Sequence, residues 1–175
     1  PSGLVFDSGT SLPGTLRNRF LLAYFKGTSA KSGIYSLGIR PAGASYALTA
    51  HDEFLWNSLV PDVDLGPDGA IYFADWHEGW PKSNKGRIYR ATFPEVLMDP
   101  VVAQTQALLG EGMSKRPEAE LLTLLAHRDM RVRQEAQFEL AGRGAISFGG
   151  LLETSWEQAN PLARFQFGRV LHQLS

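Results

Sequence analysis

The sequence predicts a mixed fold in which antiparallel β-strands come first and α-helices second. Residues 1–95 contain 14 of the 19 aromatic side chains, 11 of the 18 glycines and 7 of the 10 prolines, which is typical of short strands joined by turns. The rest of the chain is rich in Leu, Ala, Glu, Gln and Arg, which favour helices. Each part also contains an internal repeat. We therefore expect two domains, at residues 1–95 and 99–175.

The composition excludes several classes of protein. The chain has 175 residues, a formal net charge of −1 and no cysteine. Balanced charge argues against a nucleic-acid partner, and the lack of cysteine excludes disulfides, thiolate zinc sites and cysteine nucleophiles. The apolar runs are too short for a membrane-spanning helix, so we expect no membrane insertion by this segment. Because the chain begins without Met and inside a strand-like pattern, we expect it to be a piece of a longer protein.

The first part is expected to form a series of short strands. Apolar or alternating runs predict strands at Phe20–Phe25, Gly33–Ile39, Ser45–Phe54, Asp62–Leu65, Ala70–Ala74 and Gly86–Phe93. Arg40 and Pro41 should end the strand that begins at Gly33, because proline has no N–H to give to a sheet. The sequence Gly66-Pro67-Asp68-Gly69 predicts a tight hairpin turn.

These strands repeat at intervals of roughly 50 residues. The corresponding segments are Pro1–Phe6 with Pro61–Leu65, Phe20–Phe25 with Ala70–Asp75, and Lys31–Tyr35 with Asn84–Tyr89. A repeat of short strands and glycine turns is typical of β-propeller blades, of which a closed ring needs about four to eight. Fewer than two blades are present, so the sequence predicts a partial propeller.

The second part is expected to form pairs of helices. Helices are predicted from Asp99-Pro100 to Leu109, ended by Gly110, at Pro117–Ala126, and more weakly near Ile146–Trp156. Two further helices are indicated by a repeat, in which Asp129, Val132, Arg133, Ala136 and Leu140 recur as Asn160, Ala163, Arg164, Phe167 and Leu171. Asp129 and Asn160 suit the N-cap position, and Pro161 suits the first helical position. This arrangement predicts a short α-solenoid.

The helical repeat resembles a known family. Its pattern, Leu-Leu-x-x-x-Asp-x-x-Val-Arg-x-x-Ala-x-x-x-Leu from Leu124, resembles HEAT repeats of the short variety. The resemblance implies that Asp129 and Arg133 hold neighbouring helices together and do not contact a ligand.

The strand region resembles a second family. The residues that carry the likeness are Pro1–Leu4, Phe25-Lys26-Gly27 before Gly33-Ile34-Tyr35, Asp62–Tyr72 and Gly86–Arg90. They resemble the C-terminal blades of the soluble quinoprotein glucose dehydrogenase and sorbosone dehydrogenase superfamily. With the loop Asp75–Trp80, the chain is similar to large membrane-bound dehydrogenases of planctomycetes and verrucomicrobia. In those proteins HEAT repeats follow the propeller, and a cytochrome c domain often follows them.

The resemblance implies a function for the full-length protein. It would be a quinone-dependent sugar or alcohol dehydrogenase with pyrroloquinoline quinone and calcium, a sugar or polyol substrate and a cytochrome-type electron acceptor, in the periplasm or another extracytoplasmic compartment. The family's catalytic histidine and calcium ligands belong to earlier blades. Leu59-Val60-Pro61 stands where the family has an Arg-x-Arg pair. We therefore expect this chain alone to hold no cofactor and to be catalytically silent, the alternative being a non-catalytic scaffold that binds protein or carbohydrate.

Two cations are candidates for the cofactor. By the resemblance, Lys26 occupies the place of a lysine that contacts the quinone, and Arg87 is expected nearby. A cation there can pair with a carboxylate or polarise a carbonyl. The alternative for Lys26 is a solvated loop lysine.

The loop after the strand Ala70–Ala74 is the candidate substrate site. It contains Asp75, Trp76, His77, Glu78, Trp80 and Lys82. Indole faces stack on sugars and carboxylates accept hydrogen bonds from their hydroxyls, while a histidine can act as a base. The alternative is a packing loop with both tryptophans buried. Because Lys26 and Asp75 follow equivalent strands, we expect them at the same end of the sheets.

Three aspartates raise the question of a metal site. Asp62, Asp64 and Asp68 have a spacing that could hold calcium, but it is not that of an EF-hand loop. Asp68-Gly69 is better explained by the chemistry of a hairpin turn. The sequence therefore assigns no metal ligand in this chain.

Overall fold

A computed structural model describes residues 1–77, 84–144 and 161–174. Contacts divide the chain into two units, Pro1–Val102 and Ala103–Ser175. The expected order of antiparallel sheets followed by helices is confirmed. The helix predicted near 146–156 and the candidate residues Glu78, Trp80, Lys82 and Asn160 lie outside the described residues.

The first unit contains two antiparallel sheets within the described residues. One sheet consists of β1 (Gly3–Phe6), β2 (Phe20–Tyr24), β3 (Gly33–Ala42) and β4 (Ser45–Trp56). The other consists of β5 (Val63–Leu65), β6 (Ile71–Asp75) and β7 (Arg87–Ala91). The strands of each sheet lie side by side in chain order. The hairpin predicted at Gly66–Gly69 joins β5 to β6 and is confirmed.

The first two strands of each sheet share the same register. Gly3, Leu4 and Val5 of β1 lie opposite Ala23, Leu22 and Leu21. Val63, Asp64 and Leu65 of β5 lie opposite Phe73, Tyr72 and Ile71. When the chain is aligned by the predicted repeat, the β1–β2 pair therefore matches the β5–β6 pair residue for residue.

The third strands do not follow the predicted correspondence. Ile34 lies opposite Ala23, but Tyr89 lies opposite the equivalent Phe73, and Ile88 is one residue out of step. The predicted segments Lys31–Tyr35 and Asn84–Tyr89 are therefore offset by one residue when their Ile-Tyr pairs are superposed. A shift of one residue turns a side chain to the other face of a sheet, and accordingly Ile34 is buried whereas Ile88 is 79% exposed.

The ribbon of β3 and β4 is longer than expected. Arg40 and Pro41 do not end β3, which continues to Ala42. Beyond Leu37, the only described strand that pairs with β3 is β4, and Pro41 lies opposite Tyr46. Proline is tolerated on such an edge because an N–H facing solvent is not needed for pairing.

The core of the first unit joins the faces of its two sheets. Its buried members include Leu21, Ala23 and Ile34 from the first sheet and Val63, Ile71 and Phe73 from the second. Gly3 permits this close approach, because an added Cβ would collide with the Asp62 side chain. Burial of these apolar side chains supplies the favourable free energy that holds the two sheets together.

The helices begin and end at identifiable signals. Those in the described ranges are α1 (Pro94–Leu97), α2 (Pro100–Glu111), α3 (Glu118–Leu124), α4 (Met130–Arg143) and α5 (Pro161–Leu174). Asp99 caps α2, because its Oδ1 accepts from the N–H of Val101 at 3.1 Å. The prediction that Gly110 ends this helix is wrong. The helix continues to Glu111, and Gly112 follows with a φ of +75°, a conformation that favours glycine.

The helices of the second unit share a hydrophobic core. Its buried residues include Leu121, Val132, Ala136, Leu140 and Val170, from α3, α4 and α5. The predicted Asp129 cap is confirmed, since its Oδ1 accepts from the N–H of Arg131 at 2.9 Å. Arg133 donates to the carbonyls of His127 and Arg128, so it ties α4 to the turn before it.

Acidification should destabilise the helical unit through His127. Burial lowers the pKa of His127, and its Nδ1 accepts from the N–H of Asp129 at 3.0 Å, a bond that protonation would remove. The unfolded chain therefore binds the proton at higher pH than the folded chain. This stability contribution is complete above about pH 6.5 and is lost as the pH falls through the lowered folded-state pKa.

Urea titrations followed by helical circular dichroism at neutral and mildly acidic pH measure this effect. We expect the midpoint to fall on acidification in the wild type and to fall less in His127→Gln. An identical pH dependence in the two proteins would contradict the assignment.

Candidate functional site

A cleft lies at one end of the strands of the first unit. Its volume is about 850 Å³, within the usual range for small-molecule sites. The lining comes from four places: the loop after β2, the end of β4 with the residues after it, the end of β6, and the start of β7. These supply Gly27–Ser29, Leu55–Leu59, Phe73 with Asp75–His77, and Arg87 with Tyr89.

The structure brings four of the predicted residues together. Asp75, Trp76, His77 and Arg87 all line the cleft. The loop that carries Lys26 lies at the same end, since Gly27 and Thr28 line the cleft as well. The ammonium group of Lys26 itself lies over the ring of Tyr24, 5.2 Å from its centroid, and is not part of the lining.

Asp75 holds the cleft wall in place. Its Oδ1 accepts from the hydroxyl of Ser58 at 3.1 Å and from the N–H of Leu59 at 3.0 Å. The N–H of Trp76 donates to the carbonyl of Leu59 at 2.9 Å. These bonds fasten the end of β6 to the segment before β5. One oxygen of the carboxylate expected to meet a ligand hydroxyl is therefore engaged within the protein.

Each aromatic ring of the lining is supported by another ring. Trp76 stacks on Phe25 with centroids 5.8 Å apart. Trp56 packs against Tyr24 and Tyr35 at 6.4 Å and 4.9 Å, and Phe73 stacks on Tyr89 at 5.1 Å. Rings held in this way keep a fixed orientation, so they can act as flat platforms for a ligand.

Arg87 and His77 form a polar pair in the cleft. The guanidinium donates to the hydroxyl of Tyr89 at 3.1 Å and contacts Nε2 of His77 at 3.2 Å. Because a guanidinium can only donate, Nε2 of His77 is the acceptor, and the neutral ring carries its hydrogen on Nδ1. The pair therefore presents N–H donors.

Sequence reasoning missed part of the lining. Trp56, Asn57 and Ser58 come from the end of β4, and Tyr89 from β7. A signal was present, because a tryptophan followed by polar residues ends β4 just as Trp76 and His77 follow β6. Asn57 also adopts a φ of +62°, a turn conformation in which asparagine is enriched.

The three candidate calcium aspartates serve turns and strand pairing. Oδ1 of Asp62 and of Asp64 each accepts from the next backbone N–H. Asp68 accepts from the N–H of Ala70, the hydroxyl of Tyr72 and the guanidinium of Arg90. Burial raises the pKa of Asp68, but the bonds from Arg90 and Tyr72 outweigh it and leave the pKa below its ordinary value. Within residues 1–77, 84–144 and 161–174, no group of three or more His, Cys, Asp or Glu could hold a metal ion.

Comparisons with known proteins find no matching family model, curated protein or solved structure. In the part of the chain that the structure describes, no helix is long and apolar enough to cross a membrane.

Proposed function

We propose that the cleft binds a sugar or a related polyol, as part of a propeller protein of the quinoprotein dehydrogenase type with HEAT repeats. The observation that carries the binding is the cleft itself, in which supported aromatic rings and polar side chains meet. Such a combination suits a ligand whose C–H faces are apolar and whose edges carry hydroxyls.

The aromatic side chains supply the apolar contacts. Trp56 and Trp76 line the cleft and are each supported by a second ring. A pyranose ring placed on an indole face removes apolar surface from water and leaves the sugar hydroxyls at the edge of the contact. This fits a sugar better than a flat aromatic ligand, because eight of the twelve other lining residues have polar side chains.

Polar side chains supply the hydrogen bonds. Thr28, Ser29 and Asn57 contribute hydroxyl and amide groups to the lining, and Arg87 and His77 contribute N–H donors. Hydroxyl and amide groups both donate and accept, as sugar hydroxyls do. The cleft therefore offers partners for several hydroxyls at once.

The matched strand register supports the propeller assignment. β1 and β2 pair in the same register as β5 and β6, which is expected of two copies of one blade. Two helix starts support the HEAT assignment. α4 begins at Met130, directly after the capping Asp129, and α5 begins at Pro161, which corresponds to Met130 in the repeat.

A second candidate is a carbohydrate-binding module without catalysis. Leu59 and Pro61, which stand at the two arginine positions of the family's Arg-x-Arg pair, are apolar, and Leu59 is 5% exposed. They supply no guanidinium for a quinone, which favours this second candidate. Dye reduction by the full-length protein with aldose, pyrroloquinoline quinone and calcium would support the dehydrogenase, and sugar binding without dye reduction would support the module.

Calorimetric titration with a panel of aldoses and alditols tests the proposed binding. We expect saturable binding by the wild-type chain and about tenfold weaker binding by Trp76→Leu, because the stacking platform is lost. Tyr46→Leu is the matched control, since Tyr46 is 67% exposed and is not part of the lining. The absence of saturable binding for every member of the panel would overturn the proposal.

A further inference from the structure

We propose that the outer edge of β7 binds an extended segment of a partner protein as an added antiparallel strand. The segment carries a large apolar side chain opposite Ile88. This inference goes beyond the proposed sugar binding and does not depend on it. Neighbouring side chains on a strand point to opposite faces of the sheet, so Ile88 lies on the other face from Tyr89, which lines the cleft.

The second sheet has one strand fewer than the first among the described residues. In the first sheet β3 lies between β2 and β4, whereas in the second sheet the described partner of β7 is β6. Because the β1–β2 and β5–β6 pairs match residue for residue, β7 occupies the position of β3. No described strand lies beyond β7 at the position that corresponds to β4.

The side chains of β7 are exposed where their counterparts in β3 are covered. Pairing with β2 and β6 makes Ile88 the counterpart of Gly33. Tyr89 is likewise the counterpart of Ile34. Gly33 and Ile34 are buried, whereas Ile88 is 79% and Tyr89 38% exposed. An exposed edge strand with apolar side chains is a template for pairing with another chain.

Arg90 is held away from this edge. Charged side chains often protect edge strands from pairing. The guanidinium of Arg90 instead turns back over its own sheet, where it lies 2.8 Å from the Asp68 carboxylate and donates to the Tyr72 hydroxyl at 3.2 Å. Tyr72 is the residue opposite Arg90 on β6, so this side chain points away from the outer edge of β7.

The first sheet shows which side chain suits the added strand. On β4, Trp56 lies opposite Gly33, and a Cβ added to Gly33 would collide with the indole ring. The ring also packs against Tyr24 and Tyr35. A strand added to β7 in the same way has its corresponding residue opposite Ile88. We therefore expect a large apolar residue at that position.

A groove beside Ile88 supplies an apolar surface for this residue. The groove has a volume of about 800 Å³, and its lining includes Phe25, Pro61, Ala74 and Ile88. Ala74 lies opposite Ile88 on β6, so the groove is on the same face as the residue expected opposite Ile88. Covering this surface removes apolar area from water. In strand addition, main-chain hydrogen bonds give affinity and such side-chain contacts give specificity.

A second copy of the chain is a less favourable occupant. Pairing of β7 with β7 of another copy would bring Arg87 and Arg90 of both copies into one short ladder. Like charges on neighbouring strands oppose pairing. The edge therefore suits a segment of a different protein whose side chains resemble those of β4.

Fluorescence anisotropy with a labelled peptide that copies Ala50–Trp56 tests this inference on the full 175-residue chain. We expect saturable binding, and binding at least about tenfold weaker when serine replaces the peptide's tryptophan. A peptide with N-methylated backbone amides should not bind, because an added strand needs main-chain hydrogen bonds.

A matched pair of variants locates the binding. Ile88→Lys should weaken peptide binding at least about tenfold, because it places a charge on the open edge. Leu48→Lys is the control and should bind as the wild type does, since Leu48 is 60% exposed on β4 and is not part of the groove lining.

Three results would overturn the inference. One is the absence of saturable peptide binding by the wild type. Another is equal binding by Ile88→Lys and the wild type, which would place the peptide elsewhere. The third is a wild-type dimer in sedimentation that Ile88→Lys abolishes and that binds no peptide, which would assign the edge to a second copy. None of the three bears on sugar binding in the cleft, which the calorimetric panel tests separately.

Discussion

Replacing Asp129 with alanine should lower the free energy of unfolding of the helical unit by about 2–3 kcal/mol. Asp129 is fully buried. Its Oδ1 accepts from the backbone N–H of Arg131 at 2.9 Å, and its two oxygens also bond to the guanidinium of Arg131 at 3.0 Å and 2.7 Å. Alanine removes both the helix cap and the acceptor for a partly buried charge. Urea titration followed by helical circular dichroism measures the loss.

Two variants separate these contributions. Asp129→Asn keeps an oxygen for the cap and loses the charge. Its free energy of unfolding should therefore fall by about half as much as that of Asp129→Ala. Glu139→Ala removes an acid from the same helix, where its partner is Arg143 four residues later, and should change stability by only a few tenths of a kcal/mol. A wild-type midpoint in Asp129→Ala would refute the buried-cap assignment.

Replacing Asp75 with alanine should destabilise the first unit by about 1–3 kcal/mol and abolish ligand binding in the cleft. Leu59 is buried, and the substitution leaves its backbone N–H without the side-chain acceptor. It also releases the hydroxyl of Ser58, which lines the cleft. Tryptophan fluorescence in urea reports on this unit, because three of the four tryptophans lie within Pro1–Val102.

Controls for this prediction use acids of the same unit. Asp75→Asn retains an amide oxygen for the two donors and should recover much of the stability. Asp52→Ala removes an exposed carboxylate that pairs with Arg19 at 2.6 Å, and should have little effect because exposed ion pairs contribute about 0–1 kcal/mol. Equal stability of Asp75→Ala and Asp52→Ala would show that Asp75 does not hold the wall.

Local sequence signals predicted the presence of the strands and helices better than the residues at which they end. The turn at Gly66–Gly69 and the cap at Asp129 are encoded within a few residues, and both are confirmed. Pro41 and Gly110 are local stop signals that the structure overrides. Pro41 lies in a ribbon where its missing N–H is not needed, and a single glycine near the end of α2 costs only about 1 kcal/mol. The register of β7 depends on pairing with β6 and could not be found from the Ile-Tyr match alone.

The candidate site was predictable only where it is local in sequence. Trp76 and His77 follow directly on β6, so their place beside the loop after β2 follows from the repeat. Trp56 reaches the cleft through the long ribbon of β3 and β4, whose length could not be inferred from its residues. The contact of Lys26 with Tyr24 was also unforeseen, because the ring that attracts the ammonium group belongs to the preceding strand.

The shared register has a consequence for folding kinetics. Because β1–β2 and β5–β6 pair in the same way, β1 could form a mispaired ladder with β6, or β5 with β2, before either native hairpin closes. The two native connections differ in length: residues 66–70 join β5 to β6, whereas residues 7–19 separate β1 from β2. A shorter loop loses less entropy on closure. We therefore expect the β5–β6 hairpin to close first. Once β5 and β6 are paired with each other, neither is available to mispair with β1 or β2, so strand exchange between the two repeats is suppressed.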